Sequence, residues 1–219
     1  MQFSCDRTGF PLLRFPSLHM EVHLFPVAKS QFERFLAEPT GFGDGWYESL
    51  LEVNPRVPHH RLADDNRERM LLTGIHPEEA LAFAHWLGNG FDLPTLAEWR
   101  TLYITFQQSR YQIAPALMSI ADRMSPPAKA LVRKLPRQSL LDYSLMTGGL
   151  VEWVRDGAEW VGLGSPRPEF FPNLWRPLTD VWRPIRQEDR VQYVGFRLVR
   201  RGYDQEGLGT RTWRTMSRS

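Results

Sequence analysis

The sequence predicts a loop-rich α+β fold with few helices and small antiparallel sheets, and three observations carry that prediction. Helical patterns come early, strand patterns return late, and long aperiodic stretches lie between them. Seventeen prolines and sixteen glycines suit many turns better than a helical bundle. Hydrophobic residues make up 42% of the chain, with eight Trp and thirteen Phe, enough for a globular core.

Taken in order, "HMEVHLFPV" (19–27) alternates, with Met20, Val22 and Leu24 on one face, and reads as a strand. His19, Glu21, His23 and Phe25 share the other face, and the two histidines there read as a solvated rim. "SQFERFL" then starts a helix, with Ser30 and Glu33 at capping-box spacing and Phe32, Phe35 and Leu36 on the apolar side. Residues 39–70 carry Pro, Gly and charge without a period and read as an irregular loop. "IHPEEALAFAHWLGNG" is a second helix. Pro77 suits its first turn, His76 its N-cap, Glu78 and Glu79 its positive end, and Gly88 or Gly90 its stop. In "LPTLAEWRTLY" Thr95 and Glu98 form a capping box for a third helix. "APALMSIADRM" and "PAKALVRKL" are shorter helical patterns. "LVEWVRDGAEWVGL" reads as a hairpin about Asp156-Gly157, and "VQYVGFRLVR" (191–200) as the closing strand.

Length suits one domain, able to bury roughly 70% of its unfolded surface. No apolar run approaches the roughly 20 residues of a membrane span, and no secretory leader is apparent, so a cytoplasmic location is expected. The one cysteine, Cys5, cannot form an internal disulfide, which fits a reducing compartment. Net charge is only +2, without lysine clusters, unlike a domain whose affinity rests on phosphate contacts.

The order of "FPVAKSQFERFL", "LLTGIHPEEALAFAHWLG", "LPTLAEW", "GGLVEWVRD" and "VGFRLVR" resembles the formylglycine-generating enzyme, or sulfatase-modifying factor, family. The resemblance implies a C-type-lectin-like fold in which the terminal strands pair and long loops carry function. It implies an N-terminal extension (1–18), a domain over 19–200 with a divergent helical segment at 104–140, and a basic tail (201–219). Met20–Phe25 and Tyr193–Val199 are then expected as neighbours. Trp99 and Trp153, with Phe83, Trp86, Leu87, Leu93 and Phe196, are expected in the core.

Departures from the family pattern bear on function. Members that oxidise a substrate cysteine carry a copper-binding cysteine pair upstream of Gly-Phe-Arg, whereas the interval from Gly157 to Arg197 has none. The family's Arg-Gly-Gly-Ser-Trp turn is missing, and "LWRPLTDVWRPIR" stands roughly there. Gly149 replaces an asparagine whose side-chain oxygen a family calcium site would use. Formylglycine chemistry is therefore not expected, and neither a cofactor nor a metal is expected.

No histidine has metal-ligand spacing within a segment: His59 and His60 are adjacent, and His85 has no partner one turn away. Asp64 and Asp65 read as a solvated loop face. Glu98 reads as a helix cap and Glu152 as a group satisfying buried backbone. The segment that stands out repeats Trp-Arg-Pro: Trp175, Arg176, Trp182, Arg183 and Arg186 offer aromatic anchors and forked donors, residue types enriched in interfaces. One or both indoles could instead tuck into the core. The expected function is a non-catalytic protein- or peptide-binding module, an accessory or regulatory subunit of a bacterial multi-protein system. A metal-dependent oxidase of a small molecule or peptide is the alternative, and an arginine-mediated nucleic-acid-associated subunit is the third reading.

Overall fold

The computed structural model describes residues 2–38, 42, 45–53, 70–88, 90–109, 113–133, 139–147, 149–164, 176–184 and 190–202. Expectations for His59, His60, Asp64, Asp65, Trp175, Arg186 and residues 203–219 lie outside them.

The architecture is α+β. Strands β1 (Gln2–Cys5), β2 (Pro11–Phe15) and β3 (Met20–His23) form an antiparallel meander. Residues 2–5 and 11–15, read from sequence as part of an extension, thus belong to the sheet. It continues through β8 (Val199–Arg201) to β4 (Phe91–Asp92), in the order β1-β2-β3-β8-β4. Met20 faces Arg201 and Val22 faces Val199, so the two end strands are neighbours as expected.

The closing strand is not continuous. Val194–Gly195 forms β7, which runs parallel to β5 (Val151–Asp156) in a second sheet of order β6-β5-β7, with β6 at Glu159–Gly164. Residues 196–198 pass from one sheet to the other, and the Arg197 side chain turns inward between them with no solvent exposure. The β5–β6 hairpin turns on Gly157-Ala158 rather than Asp156-Gly157. Asp156 faces Glu159, and only Gly157 takes positive φ, at 61°, as a type II′ turn requires.

The rim assignment for β3 is corrected. His19 is exposed outside the strand, but Glu21, His23 and Phe25 are buried. β3 lies mid-sheet with both faces covered, and its charged groups are paired there: Glu21 with Arg14 and Arg200, and His23 Nε2 with Asp6, while His23 Nδ1 meets no partner among the described residues.

Helix α1 (Lys29–Leu36) buries Phe32 and Phe35, but its cap differs from the Ser30–Glu33 reading. Gln31 Oε1 accepts from the Ala28 N–H at 2.9 Å, while Gln31 Nε2 donates to Asp6 at 3.1 Å. One amide thus caps the helix and ties it to the first hairpin. The loop reading of 39–70 is also corrected, since α2 (Trp46–Val53) lies within it. Helix α3 (Pro77–Leu87) has the expected Pro start and buries Ala80, Phe83, Ala84 and Leu87. Helix α4 (Leu96–Gln108) has the Thr95–Glu98 box in both directions, at 3.2 and 2.7 Å. Helices α5 (Ile113–Met118), α6 (Pro126–Arg133) and α7 (Leu140–Tyr143) follow.

Trp99, Trp153, Phe83, Leu87, Leu93 and Phe196 are buried as expected. Trp86 is only partly so. The Arg7 guanidinium, 3.7 Å from its ring, completes its cover in place of apolar side chains.

Candidate binding surface

The Trp-Arg-Pro segment returns to the second sheet through a two-way backbone bridge. The Trp182 N–H donates to the Gly162 carbonyl, and the Gly162 N–H to the Trp182 carbonyl, both at 2.9 Å. Gly162 is required there, because a Cβ would stand 2.3 Å from Val151 Cγ1 and 2.8 Å from Trp182 Cε3. The absence of a side chain on β6 is what lets the indole lie flat on the sheet. Trp182 then meets Trp153 edge-on at 5.4 Å and Tyr193 at 6.3 Å. It is partly buried against the core, so this indole is an anchor of the scaffold.

The turn before it is held by its own acid. Asp180 accepts from the Arg176 N–H at 2.8 Å and from the Thr179 hydroxyl at 3.0 Å, while the Thr179 and Asp180 N–H groups donate to the Arg176 carbonyl. With Asp180 so occupied, Arg176, Leu178 and Thr179 face solvent. Arg183 is exposed as well and pairs with Glu159 at the hairpin tip. Such an exposed pair contributes little to stability. Arg100 on α4 reaches across to donate to the Thr179 carbonyl at 3.4 Å. Arg155 on β5 pairs with Asp92 and lies 4.9 Å from the Trp160 ring. The 176–184 turn therefore carries the exposed Arg176 and Arg183 on either side of the Trp182 anchor, and Arg100 bonds to it from α4. Of the five site residues read from sequence, the structure brings together Arg176, Trp182 and Arg183. Sequence reading missed Arg100, whose distance along the chain from the segment gives no local signal.

Elsewhere the chemistry-bearing side chains neutralise one another. Arg197 and Glu152 form a bidentate pair, both bonds at 2.7 Å and neither residue exposed. Arg197 also donates to the carbonyls of His23, Leu24 and Ser144, and the Trp99 indole donates to Glu152. Glu152 therefore satisfies a guanidinium and an indole, not the backbone groups expected from sequence. Glu79 accepts from Arg190, Trp46 and the His76 N–H. Burial pushes its carboxyl up, but these donors outweigh burial and hold it below the usual range. Glu98 is lowered in the same way, with Arg201 and Thr95 outweighing burial. The Asp6 carboxyl, also penalised by burial, is held low by His23, Thr8 and the Phe10 N–H.

Among the described residues, the donor set does not fit copper or calcium. Cys5 is the one thiol in the sequence, half-buried on β1, and burial beside the Asp6 charge pushes it up to about 11. At Gly149 a Cβ would stand 2.1 Å from the Leu145 carbonyl oxygen, so this backbone leaves no room for an asparagine ligand. Among the described residues, no three His, Cys, Asp or Glu side chains converge.

Residues 13–202 match the sulfatase-modifying factor enzyme 1-like domain. No curated protein matches the chain. Cys5 precedes the matched region, which contains no cysteine. With its motifs in family order, its paired terminal strands and a match across most of its length, the chain belongs to the family of sulfatase-modifying factor enzyme 1-like domains.

Proposed function

We propose that this domain is a non-catalytic protein- or peptide-binding module serving as an accessory or regulatory subunit of a multi-protein system. The observation that carries the reading is the turn at 176–184. Its indole is partly buried against the core, while its guanidiniums and Leu178 face solvent. Anchored aromatic side chains next to forked donors suit a peptide surface. Two further observations support it. A matched region without cysteine has no thiolate pair to hold Cu(I). The buried carboxylates Glu152 and Glu79 are consumed by guanidinium partners rather than left as acids or bases. A cytoplasmic setting is part of the proposal, and the lack of any disulfide partner for Cys5 supports it. Among the described residues, no helix is long and apolar enough to cross a membrane.

Elemental analysis of the purified chain tests this reading. Copper and iron well below one equivalent are expected. One equivalent of either metal would replace it with the metal-dependent oxidase reading.

A further inference from the structure

We propose that the partner segment recognised at this surface is acidic, and that Arg100 and Arg176 are the residues that read its carboxylates. This rests on the binding-module reading and names the partner's chemistry. Most carboxylates described on the turn and the elements around it are spoken for. Asp180 closes its own turn, Glu159 pairs with Arg183, Asp92 pairs with Arg155 and Arg201, and Glu98 pairs with Arg201. Arg176 contributes only its backbone to that turn, and among the described residues its guanidinium meets no carboxylate. Arg100 makes one long bond to the Thr179 carbonyl, and its Nε, closed off from solvent, has no acceptor among the described residues.

The Nε is out of a partner's reach, but the outer end of the guanidinium, held only by the exposed Thr179 bond, keeps N–H donors for which a carboxylate is the matching acceptor. The Arg100 bond ends on the turn that Arg176 opens, so one turn carries the exposed Arg176 side chain and receives the Arg100 guanidinium. Leu178, exposed on the same turn, offers an apolar contact beside them. Two forked donors flanking an apolar side chain fit a peptide in which Asp or Glu alternates with an apolar residue. The overall charge of +2 gives little long-range attraction for a polyphosphate backbone, which favours a peptide over nucleic acid.

The test uses the full chain, a displayed library of short random peptides and, as a second probe, a fluorescent oligothymidylate. Peptides retained by the wild-type chain should be enriched in Asp and Glu over the input. A retained acidic peptide should bind at least about tenfold more tightly than its Asn/Gln counterpart, the scale of charge-assisted hydrogen bonds. The variant Arg100→Gln with Arg176→Gln should lose that preference while unfolding at the wild-type temperature, and Arg7→Gln should keep it. Retained peptides without acidic enrichment, or a preference that survives in the double variant, would overturn the inference. So would oligothymidylate binding more tightly than the acidic peptides. If non-acidic peptides are retained and their binding needs Arg183 or Leu178, the acidic assignment fails and the binding module stands. If no peptide is retained, both fail.

Discussion

At the scale of single residues, the core depends on a few large side chains that are apolar and hydrogen-bonded at once. Trp99 is fully buried, stacks on Tyr103 at 5.5 Å and donates to Glu152 at 3.0 Å. Trp99→Ala should therefore cost about 3–5 kcal/mol, the loss of a large aromatic from a core, as read by denaturant unfolding. Wild-type-like unfolding would contradict the burial. Asp6 makes a different prediction. Burial raises its pKa, but His23, Thr8 and Phe10 together hold it below its ordinary 3.8. A group with a depressed folded pKa stabilises above its unfolded value and loses that contribution as pH falls through the folded one. The stability deficit of Asp6→Asn should be full near neutral pH and shrink below pH 3.8. A deficit independent of pH would show that the ionised carboxylate contributes nothing.

At the scale of elements, the parts legible in the sequence are those whose determinants lie within a few residues. The Thr95–Glu98 box and Pro77 at a helix start are local, and each appears where its pattern puts it, while the hairpin turn is displaced by one residue from its Asp156-Gly157 reading. The failures share a cause. Glu21 and His23 look like rim residues because alternation says nothing of partners far along the chain. Arg200 is 179 residues from Glu21, and Asp6 is 17 from His23. Helix α2 was hidden for the same reason, since Trp46 donates to Glu79 and Ser49 accepts from Arg190. In the candidate surface, the tryptophan–arginine repeat was visible, but the arginine from α4 that bonds to it was not. Gly162 gives the prediction for this scale. The methyl of Gly162→Ala would collide with Val151 and Trp182, displacing the indole on which the turn rests. A loss of about 1–3 kcal/mol is expected, with red-shifted tryptophan emission and weaker partner binding, although no exposed residue has changed. Unchanged emission and binding would separate the turn from its anchor.

At the scale of the whole molecule, folding and recognition are assigned to different residues. Buried pairs such as Glu152–Arg197 join the two sheets, and the exposed guanidiniums of the 176–184 turn do not take part in them. Proline at 177 and 184 restricts the turn before any partner arrives, lowering the ordering cost of binding. The decisive measurement is made on one protein, the double variant Arg176→Ala with Arg183→Ala. Its melting temperature and its affinity for a partner captured from the native host are read side by side. Melting should be nearly unmoved, because the Arg183–Glu159 pair is exposed and Arg176 holds the turn through its backbone. Binding should weaken by about 2 kcal/mol or more, the scale of an interface hot spot. A large drop in melting temperature with a binding loss that only tracks unfolding, or full binding by a well-folded variant, would contradict this division of labour.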